Sequence, residues 1–215
     1  MGFFLTIEGI EGAGKSTLTH ELAKALCDEG HEVLVSQEPG GSAIGDKIRQ
    51  ILLDRSNAIS DRTELLLFEA ARAQHVSETI LPALQRGAIV ICDRYTDSSL
   101  AYQGCARGID KNTVRALNDF ATSGLKPDLT ILLDLPASDG LARQKKIDRV
   151  SSEKLEFHEA VRQGFLELAR AESERFVLLD ATQSIDEIVK LALAKVQGFF
   201  PTPNTQHPSP NRRCL

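Results

Sequence analysis

Basic residues are not in excess in this 215-residue chain: 25 Lys and Arg stand against 30 Asp and Glu, a net charge of −5. A groove that neutralises phosphates along a nucleic acid needs a positive field, so the balance argues against nucleic acid as the main partner. No stretch approaches 18 consecutive apolar residues, the length at which a helix spans a bilayer, so no membrane partner is expected. Cysteine is sparse, with four residues (Cys27, Cys92, Cys105, Cys214) and no Cys-x-x-Cys pair. Buried, reduced thiols in a cytoplasmic protein are the expectation. Residues 201–215, PTPNTQHPSPNRRCL, lack any periodicity, so 200–215 reads as a disordered polar tail. No internal repeat divides the remainder, and residues 1–199 read as one domain with room for a substantial core.

What is present begins with a glycine-rich turn. Residues 9–16 read GIEGAGKS, two glycines separated by four residues and followed by Lys and Ser. In such a loop the glycines, Gly9, Gly12 and Gly14, let backbone N–H groups curl around a triphosphate. Lys15 reaches the outer phosphates, and the Ser16 hydroxyl suits Mg2+. The preceding FFLTIE (3–8) suits a buried strand, while Leu18, Leu22 and Leu26 recur at helical spacing until Gly30. The positive end of that helix joins the same cradle.

Four more apolar runs follow: EVLVS (32–36), AIVICD (88–93), LTILLDL (129–135) and FVLLDA (176–181). Each is short and nearly continuous, as strands buried on both faces are. Helical periodicity fills the intervals, Ile44, Ile48, Ile51 and Leu52 for example. The alternation predicts an α/β fold: a five-stranded parallel sheet with helices on both faces, a three-layer sandwich of the P-loop NTPase kind. Ligands then gather beyond the C-terminal strand ends, which singles out Glu38, Asp93, Arg94, Asp134 and Asp180. Asp93 suits a Mg2+ ligand, direct or through water, with a cap or an ion pair to Arg94 as the alternative. Arg94 can grip phosphate with a planar fork. Asp61 followed by Glu64 resembles a capping box, and Pro82 marks a break or kink before the next strand.

Five ordered motifs resemble those of the thymidylate (dTMP) kinases. They are the loop at 9–16, E-P-G-G-S (38–42), F-x-A-x-R-A-Q-H (68–75), D-R-Y-x-x-S-S-x-A-Y-Q (93–103) and K-P-D-L-T-x-x-L-D (126–134). The likeness runs from about Phe3 to Val196. It implies ATP-dependent conversion of dTMP to dTDP for dTTP synthesis, with Mg2+, in a cytoplasmic homodimer of bacterial type. For ATP it implies contacts from Gly9, Glu11, Gly12, Ala13, Gly14, Lys15, Ser16 and Thr17, with Arg143 and, near adenine, Gln183. For dTMP it implies thymine stacked on Phe68 with O4 bonded by Arg72, one turn along the same helix face. Ser99 and Gln103 would lie near the base, Tyr102 against the deoxyribose, and Arg49 and Arg94 on the monophosphate. Glu11 would meet the 3′-hydroxyl, Pro39 would wall the thymine methyl, and Glu38 belongs to the same site. The catalytic set implied is Lys15, Asp93, Arg94 and Arg149, with Ser16 and Asp93 toward the metal.

The chain departs from that pattern in its lid, about 141–152. Relatives with glycine at the position of Gly12 draw positive charge from the lid, here LARQKKIDRV (141–150) with Arg143, Lys145, Lys146 and Arg149. The segment is a few residues shorter than usual, with lysines where arginines are expected. Arg149, in its Asp-Arg setting, matches best. Gln37 stands where Arg is frequent. The alternatives are a kinase for another (deoxy)nucleoside monophosphate and, remotely, a GTP-binding switch. The switch would need Asn-Lys-x-Asp, and Asn118–Asp119 lacks the lysine.

Overall fold

Each expected strand forms: β1 Phe3–Glu8, β2 Val33–Gln37, β3 Ile89–Asp93, β4 Leu129–Asp134 and β5 Phe176–Asp180. In this computed structural model, which describes residues 2–144 and 147–199, they make one parallel sheet ordered β2-β3-β1-β4-β5. Register aligns the tips, with Ile7 and Gln37 both opposite Asp93 and Asp134 opposite Asp180. The three central strands are almost wholly buried. The two edge strands are not buried on both faces as expected: Val35 and Leu178 face solvent, because an edge strand has cover on fewer sides. The tail, 200–215, lies outside the described residues.

Helices fill the layers around the sheet. They are α1 Lys15–Asp28, α2 Ala43–Leu53, α3 Asp61–His75, α4 Leu81–Gln85, α5 Thr96–Ser99, α6 Lys111–Thr122, α7 Ala137–Arg143, α8 Leu155–Ala171 and α9 Ile185–Gln197. Leu18, Leu22 and Leu26 of α1 are fully buried in one cluster with Leu5 and Ile7 of β1. Burying each such side chain is worth about 1.5–3 kcal/mol. The alternate β1 residues serve the other face, where the Phe4 ring meets Tyr95 edge-on at 4.9 Å.

Two local expectations are corrected. The cap of α3 is Ser60, whose hydroxyl accepts from the Thr63 N–H, while Glu64 is buried and bonded elsewhere. Pro82 does not break the chain's helical path. A π-helical turn, Val76–Ile80, precedes it and α4 continues through it. Proline lacks an N–H and crowds the carbonyl four residues back, and a widened turn relieves both. A second π-helical turn, Leu100–Ala106, carries Tyr102 and Gln103. Cys92 and Cys105 are free thiols, as expected. Cys27 is half-buried near the end of α1, and Cys214 lies outside the described residues.

Candidate active site

The loop after β1 turns directly into α1. Gly14 caps the helix at φ 96° with no side-chain cap, and no acid stands in the first turn. The N–H groups of Lys15, Ser16 and Thr17 have no carbonyl one turn earlier within the helix, which leaves a cluster of donors suited to an anion. By contrast α2, α3, α6 and α9 are capped by Ser42, Ser60, Asp110 and Ser184. Gly12 sits at φ 74°, and a Cβ there would collide with the Gly140 carbonyl of α7. Backbone and space therefore both require glycine.

Lys15 is 8% exposed and donates to the Ile10 carbonyl at 2.8 Å. Burial, then the Arg94 charge, pushes its pKa down to about 8 against the pull of Asp93, Glu11 and Glu8. Ser16 donates from Oγ to Asp93 Oδ2 at 2.8 Å. One hydroxyl beside one carboxylate, next to a phosphate cradle, fits Mg2+, which keeps waters and needs few protein ligands. Among the described residues no cluster of three or more His, Cys, Asp or Glu forms a metal cage.

Arg94 follows β3 at φ 73°, a left-handed conformation costing a non-glycine residue about 1–3 kcal/mol and found mostly at functional sites. Its Nη1 donates to Gly9 O at 3.0 Å and to Ser98 Oγ at 3.2 Å, and its Nη2 to Glu11 Oε1 at 2.9 Å. The guanidinium lies 4.9 Å over the Tyr102 ring, and the Tyr102 hydroxyl donates to Glu11 Oε1 at 2.6 Å. Burial alone would raise the Glu11 pKa, but Arg94, His158 and Lys15 hold it well below the usual carboxylate range. Arg94 therefore pairs with Glu11, leaving Asp93 to Ser16.

Glu64, Phe68 and Arg72 share one face of α3, a turn apart. Arg72 is 1% exposed. Its Nε donates to Glu38 at 2.8 Å, its Nη1 to Glu69 at 2.6 Å, Ser99 at 2.9 Å and Asn118 at 2.7 Å, and its Nη2 to Tyr95 O at 3.1 Å. Burial pushes the Glu69 pKa up although Arg72 opposes it. Glu38 also meets His75 Nδ1 at 3.0 Å, and His75 Nε2 meets Ser36 Oγ at 2.6 Å. Arg49 donates from Nη1 to Pro39 O at 2.7 Å.

These elements enclose a cavity of about 440 Å³ over the strand tips. Of the anticipated residues, Glu11, Gly12, Gly14, Lys15, Ser16 and Thr17 line its phosphate-loop side, with Asp93, Arg94 and Arg143. Glu38, Pro39, Arg49, Phe68, Ser99, Tyr102 and Gln103 line the opposite side. Gly9, Ala13, Arg72, Arg149 and Gln183 are not on its wall. Arg72 stands behind it, bonded to the wall residues Glu38 and Ser99. Arg143 donates to Ala181 O at 3.1 Å, which brings the base of the lid against the turn holding Gln183.

Arg149, expected to face the transferring group, points elsewhere. Its Nη2 lies 2.7 Å from buried Glu64 and its Nε donates to Leu52 O at 2.8 Å. Lys145 and Lys146 lie outside the described residues. Asp134 is held by Arg162 at 2.7 Å, and Asp180 accepts from its neighbour Thr182, so both strand-tip acids have local partners. Residues that the sequence reading gave no site role include Ser98 and Leu53 on the wall, Glu64 beneath Gln103 and Arg149, and His158 behind Glu11. Ser98 lies in the motif at 93–103 and Glu64 in the Asp61–Glu64 pattern, but neither pattern assigns them these contacts, and a lone histidine in an amphipathic helix reads as core.

The family model described as thymidylate kinase matches residues 7–192. The chain is similar to the thymidylate kinase of Pelobacter propionicus, with 50% identity over 206 residues covering 91% of this chain and 94% of that one. Likeness to the Lactobacillus delbrueckii thymidylate kinase is 47% over 207 residues, covering 93% and 98%. Among solved structures, thymidylate kinase from Ehrlichia chaffeensis superposes with a TM-score of 0.74 at 32% identity, covering 91% of this chain and 98% of that one.

Proposed function

The chain belongs to the thymidylate kinase family and is a dTMP kinase, and we propose that ATP and dTMP meet end to end across the strand-tip cavity. The γ-phosphoryl group of ATP passes to the dTMP phosphate, giving ADP and dTDP. The observation that carries this reading is that Lys15 and Phe68 open onto one cavity, the phosphate loop and the aromatic wall sharing a single space.

Phosphoryl transfer asks a protein mainly for alignment and neutralisation of charge. In our reading the loop from Gly9 to Thr17 cradles the ATP phosphates, Lys15 neutralises the outer ones, and Arg94 and Arg49 hold the acceptor phosphate. Mg2+, held through Ser16 and Asp93, would spread the charge of the ATP phosphates. No general base is required, because the acceptor is already a phosphate anion. Thymine lies against Phe68, with Pro39, Ser99 and Gln103 around its edge. Arg72 acts on the base through Glu38 and Ser99 as well as by its own charge. Tyr102 and Glu11 take the deoxyribose. Residues 141–152 act as a lid on one domain spanning 1–199, excluding water that would divert the phosphoryl group. Arg143 is the described lid cation already facing the cavity. Arg149 reaches it only if closure frees the side chain from Glu64.

No described helix is long and apolar enough to cross a membrane. We place the enzyme in the cytoplasm as a homodimer, with exposed apolar side chains on α2, α3 and α6 supporting the second point.

A coupled ADP-release assay with dTMP, dUMP, dCMP and dGMP tests the acceptor, and dTMP should be used best. Lys15→Ala should lose at least about a hundredfold in turnover with its fold intact. Near-normal turnover in that variant, or a clear preference for another acceptor, would overturn the reading.

A further inference from the structure

His158 has no part in the roles assigned above, yet it is the residue behind Glu11. It lies on α8, is 1% exposed, and its Nδ1 stands 3.2 Å from Glu11 Oε2. Both atoms are enclosed, and among the described residues neither has a hydrogen-bond partner. Each is thus the candidate partner of the other, and enclosed polar atoms are nearly always paired. His158 Nε2 is enclosed too and among the described residues has no partner, so Nδ1 is the nitrogen placed to serve Glu11.

The two Glu11 oxygens have different surroundings. Oε1 accepts from the Tyr102 hydroxyl at 2.6 Å and Arg94 Nη2 at 2.9 Å. Oε2 is turned inward onto the histidine, so a ligand hydroxyl in the cavity that Glu11 lines meets the carboxylate at Oε1, in exchange for one of those two donors. Without a donor behind it, an enclosed Oε2 would drive the carboxylate to rotate. The same helix also packs Tyr102, whose ring meets Phe157 and Phe165, each at 6.1 Å. α8 is therefore a shared backing for both side chains assigned to the sugar.

We propose that His158 is a positioning residue: its Nδ1–H holds Glu11 Oε2 inward and fixes the carboxylate in the orientation that receives the 3′-hydroxyl of dTMP. The inference rests on the assignment of Glu11 to the deoxyribose, and deepens it by naming what orients the acid. A lysine at this place would add a charge, and a leucine would fill the space without a donor. An imidazole supplies an N–H at the distance the carboxylate requires.

The experiment compares dTMP with 3′-deoxythymidine monophosphate as acceptors for the wild type, His158→Leu, His158→Asn, Glu11→Gln and the Leu/Gln double variant. His158→Leu keeps bulk without the donor, while His158→Asn offers an N–H close to where Nδ1 stands. The KM for dTMP should rise about tenfold or more in His158→Leu, as for one lost charge-assisted hydrogen bond. The KM for ATP should hold, and the 3′-deoxy acceptor should be little affected. His158→Asn should recover most of the loss, and the double variant should be no worse than Glu11→Gln alone. Equal losses with both acceptors, additive losses in the double variant, or an Asn variant no better than Leu would overturn the proposal. If Glu11→Gln itself fails to separate the two acceptors, the sugar assignment of Glu11 fails first and takes the proposal with it. Thermal melts accompany each variant, and the acceptor comparison within the folded His158→Asn protein keeps the test decisive should His158→Leu not fold.

Discussion

At neutral pH the Lys15 ammonium carries its charge, yet burial and the neighbouring Arg94 bring its pKa down to about 8. In the free enzyme at pH 9 roughly nine-tenths of Lys15 molecules are therefore neutral. A bound triphosphate favours the charged form, so ATP binding at pH 9 should take up nearly one proton, and at pH 7 almost none. Affinity for ATP should accordingly fall as pH rises above 8. Calorimetry in buffers of different ionisation enthalpy measures the uptake. Lys15→Arg, whose charge is permanent, should abolish it, and uptake that persisted in that variant would assign the proton to another group. The signature Gly-x4-Gly-Lys-Ser made Lys15 and Ser16 legible because its function resides in consecutive backbone units. The strain at Arg94, φ 73°, was not legible, since it follows from Gly9, Ser98 and Glu11 converging on one guanidinium.

Helix α3 presents Glu64, Phe68 and Arg72 along one face, and each holds something different: lid arginine, cavity, base-side network. Arg72 is sandwiched between Glu38 and Glu69, so its removal leaves two buried carboxylates with far less compensation. Arg72→Ala should destabilise the fold by about 3–5 kcal/mol, readable as a lower urea midpoint, and should also raise the KM for dTMP while leaving that for ATP unchanged. A loss of ATP affinity alone would contradict the placement of the base. The face itself was visible in the four-residue spacing. Its cap was not, because Ser60 and Asp61 are both capable caps, and only the backbone decides that Ser60 lies outside the helix. Pro82 illustrates the same limit. Its missing N–H guaranteed a disturbance, while the choice between a break and a π turn depended on Val76 and Ile80 being buried against the sheet.

At the scale of the whole molecule, apolar side chains are left in solvent on α2, α3 and α6 as well as elsewhere on the surface. Phe120 on α6 is 86% exposed and Leu66 on α3 is 56% exposed, with Ile44 and Ile51 on neighbouring α2 also open. Leu66 and Leu117 line one groove between α3 and α6. For the homodimer we propose, Leu66→Asp and Phe120→Glu should each shift sedimentation from dimer to monomer. A wild-type monomer at micromolar concentration would remove that reading. Because Leu66 and Phe68 occupy different sides of one helix, the dimer face and the acceptor pocket would share a rigid element. Read alone, the sequence determined the strands, most helices, the phosphate loop and the family, since periodicity and glycine placement are short-range signals that each segment carries by itself. Only the tertiary structure decided that Arg149 docks on Glu64, that Arg72 stands behind the cavity wall, and that His158 backs Glu11. Those pairings join segments distant in the chain, and a buried charge takes whatever partner the packed elements bring within reach.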